Sequence, residues 1–426
     1  MSMARRSELL GLRERPRPVG MFGLNGAFAR QECWYRHTFD GPTMARIFLD
    51  NNSTTPVDPR VLSAMLPYFT EHFGNAASRS HAFGWDASNA VEAARSRIAQ
   101  LIGAVSSKEI VFTSGATESN NLALEGALEL AEPSRKQIIV SAIEHKSVLD
   151  VAMHLKENGI QVTTLPVNSQ GIVEPERLKS FLSAETALVS VMLANNEVGT
   201  VQPIEELASV VHEHGALLHV DAAQGLGMVP FDVERMHVDL ASLSAHKVYG
   251  PKGCGALYVR SKRPRVRLAQ QIHGGGHEFG LRSGTLNVPG IVGFGSACEL
   301  LASEGPGDRI RIAELRNLLM LRLISALPEV IVNGSMETRL PGNLNITFPS
   351  IDSASLMRSL PEVALSSGSA CSSATPEPST VLLAMGVHPD LAKCSIRFGI
   401  GRFNTQTEIE AVAERLVDAI RKFAAL

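Results

Sequence analysis

Five short polar clusters follow apolar runs along the sequence, and each contains residue types that can bind an anion, move a proton or form a covalent bond. One cluster alone is weak evidence, because a histidine that opens a helix is often only a cap and an aspartate after a strand often only ties a turn. If the apolar runs are parallel strands, their carboxyl ends meet at one edge of a sheet, where ligands bind. We therefore treat the clusters as one candidate site. They are Thr113-Ser114-Gly115-Ala116-Thr117, Glu144-His145-Lys146, Asn195-Asn196-Glu197, Asp221-Ala222-Ala223-Gln224 and Ser244-Ala245-His246-Lys247.

Three of these clusters supply complementary chemistry. Residues 114–117, which we call the phosphate cup, place hydroxyls and small side chains at a helix start. Free backbone N–H groups and the helix dipole bind phosphate at such a position. Lys247 comes directly after a strand pattern, so its amine could form a Schiff base, whereas Lys252 has the character of an ordinary turn lysine. Asp221 could pair with a protonated pyridine nitrogen. A phosphate cup, an acid and a lysine are what pyridoxal 5'-phosphate requires, so the sequence predicts this cofactor.

Cys371 lies in a run of small residues, 366–374, that has neither helical nor strand periodicity and is typical of an exposed, mobile loop. Cys254 begins a strand pattern, Cys298 lies in an apolar helical stretch and Cys394 precedes a strand pattern, so packing is their expected role. Cys371 is the candidate nucleophile beside the cofactor. Without a cofactor site it would be an inert loop thiol.

The elements that must position these residues alternate from residue 58 onward. Helix-length segments separate the apolar runs, which predicts an α/β fold with a mainly parallel sheet covered on both faces. After about residue 300 a long helix, shorter strands and a terminal helix predict a smaller α+β domain. We expect a large cofactor-binding domain at 58–300 and a small domain made of 45–57 and 301–426, which carries the Cys371 loop. The strand patterns are at 108–112, 137–142, 161–165, 187–193, 216–220, 239–243, 255–259 and 345–348.

The composition limits the classes of partner that the protein is expected to bind. The chain has 426 residues and a formal net charge of -3, which gives no basic field for nucleic acid or an anionic membrane. No apolar run approaches the roughly 20 residues that span a bilayer, so we expect a cytoplasmic protein with a small-molecule substrate. The five cysteines form no CxxC pair and are expected to be reduced thiols. Residues 1–43 are expected to be a disordered extension, either a presequence-like leader or the product of a start codon upstream of Met44.

Residues 45–423, which contain these motifs in this order, resemble the cysteine desulfurases of the NifS/IscS type. Those enzymes belong to the class V aminotransferase group of fold-type-I pyridoxal-phosphate enzymes. Further motifs add to the five clusters. They are Leu49-Asp50, Thr54-Thr55-Pro56, Phe73-Gly74-Asn75, Ser78-Arg79-Ser80-His81, His273 to Thr285, the Cys371 loop and Ser395-Ile396-Arg397-Phe398.

The resemblance implies a role for each matching residue. Lys247 would be the Schiff-base lysine, Cys371 the sulfur acceptor and His145 the catalytic residue stacked on the cofactor ring. Asn196 and Arg397 would hold cofactor and substrate carboxylate. The remaining implied cofactor contacts are Ala116, Thr117, Ser244 and His246 at the phosphate, Asp221 at the pyridine nitrogen, Gln224 at the ring hydroxyl and Thr285 at the phosphate of the other subunit.

The implied reaction removes sulfur from L-cysteine, giving alanine and a Cys371 persulfide, in a homodimer with shared active sites. No intrinsic metal is expected, and Cys371 would meet an iron–sulfur cluster only transiently on a scaffold partner. The acceptor stays open among iron–sulfur assembly, tRNA thiolation and DNA phosphorothioation, and so does the group that deprotonates Cys371. Rival functions are a selenocysteine lyase or another class V aminotransferase, and a non-catalytic sulfur carrier that kept the fold.

Overall fold

The strand patterns between residues 108 and 259 form a single sheet in the computed structural model, which describes residues 46–262, 264–349, 351–367 and 378–424. The strands are β1 (Ile47–Phe48), β2 (Ile110–Thr113), β3 (Gln137–Ser141), β4 (Gln161–Leu165), β5 (Thr186–Ser190), β6 (Leu217–Asp221), β7 (Leu240–Ser244), β8 (Gly255–Val259), β9 (Ile331–Asn333), β10 (Asn343–Thr347), β11 (Val363–Ala364) and β12 (Ser395–Gly399). The helices are α1 (Pro59–Met65), α2 (Pro67–Thr70), α3 (Ala82–Leu101), α4 (Ala116–Glu129), α5 (Lys146–Glu157), α6 (Pro175–Phe181), α7 (Ile204–Glu213), α8 (Val288–Ala326), α9 (Ser353–Arg358), α10 (Thr380–Ala384), α11 (Pro389–Lys393) and α12 (Gln406–Ala424).

The large sheet has the strand order β2-β8-β7-β6-β5-β3-β4, and its neighbours are parallel except at β8, which runs antiparallel to both β2 and β7. Five of its strands are fully buried along their length, as expected for a sheet covered on both faces. The predicted α/β fold with a mainly parallel sheet is confirmed. Because β8 is reversed, its amino end lies at the edge where its neighbours have their carboxyl ends.

Two helices begin almost at once after the strands that precede them, and this is what fixes the polar clusters in place. Gly115 is the N-cap of α4, at φ +156°, two residues after β2 ends. A backbone in that region favours glycine, which lets the chain turn sharply from strand to helix. His145 is the N-cap of α5 and accepts a hydrogen bond from the Ser147 N–H. These two clusters thus lie at helix amino ends, just beyond the strands β2 and β3.

A second group of elements follows the large sheet. β12, β10 and β9 form an antiparallel sheet, and β1 pairs in parallel with β11. Their hydrophobic cluster contains Ile47 and Leu49 together with Leu315 and Leu323 from the second half of α8. Phe294, in the first half of α8, packs instead in a cluster beneath the large sheet. The 39-residue helix α8 therefore packs against both groups of elements, and it continues without a break through residue 300. The domain division at that residue stays a prediction.

The expectation for residues 1–43 concerns a part of the chain that lies outside the described residues. Within the described ranges, no helix combines the length and the apolar character needed to cross a membrane.

Candidate active site

The five polar clusters converge on one cavity of about 480 Å³ at the carboxyl edge of the large sheet. Its wall also contains Arg397 from β12 and residues 52–54 from the segment after β1, so both groups of elements contribute to it. The predicted site residues brought together here are Ala116, Thr117, His145, Asn196, Asp221, Gln224, Ser244, His246, Lys247 and Arg397.

Lys247 occupies the floor of the cavity just beyond β7, in a single 3₁₀ turn. Its Nζ donates to the carbonyl oxygens of Asn52 and Ser53, at 2.7 Å each. Asn52 also exchanges two hydrogen bonds with the Gln224 side chain, at 2.8 and 3.2 Å. The amine is therefore fixed in position by a backbone segment that comes almost 200 residues earlier in the chain.

Asp221, at the end of β6, is buried and both of its oxygens accept N–H hydrogen bonds. Oδ1 accepts from the Ala223 N–H at 3.0 Å and Oδ2 from Asn120 Nδ2 at 2.9 Å. Asn120 also donates to Ser147 Oγ at 2.8 Å, and that hydroxyl lies 2.8 Å from His145 Nδ1. The side chain of Asp221 is thereby fixed in orientation and connected to His145 through two polar side chains.

The same connection determines the tautomer of His145. Its Nδ1 accepts the Ser147 N–H at 3.1 Å, so Nδ1 carries no proton when the ring is neutral. The proton of the neutral ring is then on Nε2.

Glu144 is a second buried carboxyl beside Asp221. Its Oε1 accepts from Ser141 Oγ at 2.5 Å and from the Met192 N–H at 2.7 Å, while Oε2 is buried without a hydrogen-bond partner among the described residues. Burial raises the pKa of Glu144 to about 8 despite these hydrogen bonds, and the charge of Asp221 adds to the rise. Glu144 is accordingly protonated at neutral pH.

The residues at the amino end of α4 are suited to a phosphate group. The N-cap is Gly115, which has no side chain to satisfy the first-turn N–H groups, and Ser244 lines the same part of the cavity. His246 is held by Thr54 Oγ1, 3.0 Å from its Nδ1. Burial, together with the nearby Lys247 and Lys252 charges, lowers the pKa of His246 to about 4, so this ring is neutral.

Arg397 and Asn196 line one wall of the cavity and contact each other. Arg397 forms an ion pair with Asp50 at 2.8 Å and donates to the Asn196 carbonyl oxygen at 3.1 Å. Its guanidinium is almost fully buried, and Nε makes no hydrogen bond within the described part of the chain. An arginine held rigidly at a cavity wall is suited to a carboxylate ligand.

The comparisons with known proteins agree with this geometry. The aminotransferase class-V model matches residues 47–412. Cysteine desulfurase IscS of Anaeromyxobacter sp. (strain Fw109-5) is 56% identical over 376 residues, which cover 88% of this chain and 93% of that protein. The chain belongs to the cysteine desulfurases of the class-V aminotransferase family. Cysteine desulfurase IscS of Rickettsia peacockii (strain Rustic) is 50% identical over 380 residues, which cover 89% of this chain and 92% of that protein. A solved NifS-like protein superposes with a TM-score of 0.82 at 38% identity, covering 88% of this chain and 100% of its own.

Cys371 of this desulfurase lies outside the described residues, but the chain on either side of it is placed. Before the loop, the backbone of Ser366 pairs with that of Arg397, whose N–H donates to the Ser366 carbonyl at 2.7 Å. After the loop, Ser379 Oγ donates to Glu197 Oε2 at 2.5 Å. Glu197 directly follows Asn196 in sequence, so both flanks of the loop are attached beside the same wall of the cavity.

The three cysteines that the structure describes have the properties of structural thiols. Burial raises the pKa of Cys254 to about 12 and that of Cys298 further, and burial also raises the pKa of the half-buried Cys394. Each is a weak nucleophile at neutral pH.

Thr285 is not among the residues that line the cavity. It belongs to a glycine-rich segment that Glu278 attaches to the body of the desulfurase. Glu278 accepts two hydrogen bonds from the buried Arg95, at 2.8 Å each, and one from the Phe112 N–H at 2.7 Å.

Several residues that build the site were not assigned a role from the sequence. Asn120 follows the phosphate cup by one helical turn, so the four-residue spacing from Ala116 was a usable signal. Glu144 lay in one of the polar clusters and Asp50 in a further motif, but neither position indicated its role, and Asn52 lay in no motif. The partners of these residues are distant in sequence, or their burial is a tertiary effect.

Proposed function

We propose that this cysteine desulfurase binds pyridoxal phosphate in the 480 Å³ cavity and passes the sulfur of L-cysteine to Cys371. The observation that carries the proposal is that Lys247, Asp221 and Arg397 line one cavity. The backbone of Ser366, just before the Cys371 loop, also pairs with the backbone of Arg397.

The cavity residues fit the cofactor. Lys247 supplies the amine, the amino end of α4 with Ser244 and His246 supplies neutral donors for the phosphate, and Asp221 supplies a carboxylate for the ring nitrogen. We assign His145 to the ring face and Gln224 to the ring hydroxyl. Pyridoxal phosphate, when bound, supplies a carbonyl for linkage to an amine and an electron-withdrawing ring.

The side chains then have separate tasks. Arg397 and Asn196 hold the substrate carboxylate, and the Lys247 amine removes the Cα proton. Asp221, oriented by Asn120 and the Ala223 N–H, keeps the ring nitrogen protonated. His145 has its proton on Nε2, so we assign it as a proton donor to the substrate or product.

In the sulfur transfer, the Cys371 thiolate attacks the sulfur of the substrate. A bond forms between the two sulfurs while the Cβ–S bond of the substrate breaks, and its electron pair stays on the carbon fragment. That fragment takes up protons and leaves as L-alanine, so one cysteine and the Cys371 thiol yield one alanine and one persulfide. No external oxidant or reductant is needed.

The partners follow from the same chemistry. The persulfide is passed to a sulfur-acceptor protein, such as an iron–sulfur scaffold, with tRNA thiolation and DNA phosphorothioation as further destinations. We propose that the enzyme works in the cytoplasm, without direct contact with nucleic acid or membrane. We assign residues 58–300 to cofactor binding, and residues 45–57 with 301–426 to the domain that carries Cys371.

The active protein is proposed to be a homodimer. An apolar surface, defined by Phe73, Phe83, Trp85 and Phe279, has side chains that are 53–65% exposed. Phe73 and Phe83 have ring centroids 5.6 Å apart, and Trp85 and Phe279 line a separate cavity of about 730 Å³. A cluster of large exposed aromatic side chains marks an interaction surface. It lies beside the segment that carries Thr285, as a shared active site requires.

The test is product analysis of the purified protein with L-cysteine, pyridoxal phosphate and a thiol reductant. We expect alanine and sulfide in equal amounts, no alanine from Lys247→Ala, and wild-type rates from Lys262→Ala, which removes an exposed lysine that does not line the cavity. A keto acid in place of alanine would instead indicate a transaminase. A protein that binds no cofactor would indicate a sulfur carrier.

A further inference from the structure

An acidic side chain lies where we propose that a phosphate binds. Glu118 is in the first turn of α4 and lines the cavity together with Ser114, Ala116 and Thr117. Its Oε2 accepts the Ser114 N–H at 2.8 Å, so the carboxylate already uses one backbone N–H of the phosphate cup. A negative charge at this position repels a phosphate dianion unless another group compensates it.

The compensating group is Arg282. Its Nε donates to Glu118 Oε1 at 2.8 Å and one terminal nitrogen donates to Oε2 at 3.3 Å, a two-point contact between largely buried side chains. Burial alone would raise the pKa of Glu118, but the hydrogen bonds from Arg282 and Ser114 lower it below its usual value. Glu118 is therefore ionised and paired.

The backbone around Arg282 is held firmly enough to fix this contact. Four residues earlier, Glu278 is buried in an ion pair with Arg95, and both Glu278 and Phe279 have positive φ values of 48° and 59°. Such a conformation persists only when the surrounding contacts determine it. This constrained segment thus holds Arg282 beside Glu118.

We propose that Arg282 is a positioning residue that neutralises Glu118 and thereby makes the amino end of α4 able to bind the phosphate group of the cofactor. The inference deepens the proposed function and rests on it. Glu118 orients the Ser114 backbone and Arg282 cancels the charge that Glu118 brings. Because Thr285 follows Arg282 by three residues, the pair also ties the segment proposed to reach the other subunit to the phosphate cup of its own subunit.

The experiment measures the equilibrium affinity of the apoproteins for pyridoxal phosphate and for pyridoxal, which lacks the phosphate. Arg282→Ala leaves Glu118 unpaired, so we expect its affinity for pyridoxal phosphate to fall by about tenfold or more and its affinity for pyridoxal to stay unchanged. Arg282→Lys keeps the charge and is expected to retain most of the affinity. Glu118→Gln is expected to bind at least as well as the wild type.

The deciding variant combines Glu118→Gln with Arg282→Ala, which removes both charges together. We expect it to recover affinity for pyridoxal phosphate to within about threefold of the wild type, because no unpaired carboxylate remains. A double variant as weak as Arg282→Ala would mean that Arg282 acts only on the fold, and equal losses for both ligands would exclude a phosphate effect. Either result overturns the inference alone. A wild type that binds no pyridoxal phosphate would overturn the proposed function as well.

Discussion

Asp221, at the end of β6, and Glu144, three residues after β3, are buried carboxyl groups with different hydrogen-bond surroundings. Asp221 accepts two N–H hydrogen bonds, one at each oxygen. Glu144 has both of its hydrogen bonds at Oε1 and a pKa of about 8. Burial therefore favours the neutral form of Glu144, while N–H donors hold both oxygens of Asp221 in place.

The raised pKa of Glu144 predicts a pH-dependent stability. As pH rises from about 5 to about 8, the unfolded chain releases the Glu144 proton while the folded chain retains it, so Glu144 lowers the free energy of unfolding over this window. Glu144→Gln keeps an acceptor for Ser141 and Met192 but does not titrate. We expect the variant to gain stability relative to the wild type between pH 5 and pH 8, measured by urea unfolding.

Glu197, whose pKa burial raises to about 7, contributes in the same direction in both proteins and cancels in the difference. A difference in unfolding free energy between Glu144→Gln and wild type that does not change with pH would show that Glu144 is ionised when folded.

The sequence was informative about residues whose chemistry is local and uninformative about those whose chemistry depends on contacts. Lys247, Asp221 and His145 could be singled out because each lies in a polar cluster just after a strand pattern. Asn52 could not, because the carbonyl that it offers to Lys247 is a backbone group 195 positions away. Arg397 was found only through the family resemblance.

Among the elements, the turn from β2 into α4 depends on a close approach between two glycines. A Cβ on Gly255, at the start of β8, would lie 2.5 Å from Gly115 Cα and 2.6 Å from the Leu243 carbonyl oxygen. Backbone atoms cannot move aside as the end of a flexible side chain can. The shape of the phosphate cup is thus tied to glycine in a strand that contributes little chemistry of its own.

This contact predicts that Gly255→Ala lowers both thermal stability and affinity for pyridoxal phosphate, because Gly115 must shift. The matched control is Gly307→Ala in α8, where a Cβ would meet nothing within 4 Å. We expect the control to keep cofactor affinity and to be more stable by about 0.5–1 kcal/mol, since alanine favours helix. Equal cofactor affinity in Gly255→Ala and wild type would contradict the account of the cup.

The element boundaries show what periodicity can resolve. The patterns at 161–165 and 255–259 coincide with β4 and β8. The pattern at 108–112 began too early, because Ser107–Glu109 forms a 3₁₀ turn with a capping box. The reversed direction of β8 could not be read from an apolar run, since both directions bury the same side chains.

For the whole molecule, the exposed aromatic surface predicts self-association. Phe73→Asp combined with Phe83→Asp places two charges on that surface, and we expect the dimer to dissociate in sedimentation experiments, with loss of activity. Ile310→Asp, which changes a similarly exposed apolar residue in α8, should leave the dimer intact. A monomeric wild type would contradict the proposed shared active site.

The most direct test of the account is the location of the sulfur after one turnover. Peptides of the wild type, treated with a pulse of L-cysteine and analysed by mass spectrometry, should carry one extra sulfur on Cys371. Cys371→Ser should bind pyridoxal phosphate normally and nearly stop releasing alanine, because a hydroxyl is a poor nucleophile toward sulfur. Cys394→Ser, which changes a half-buried thiol, should behave like the wild type. A persulfide found chiefly on another cysteine, or full alanine release by Cys371→Ser, would contradict the account.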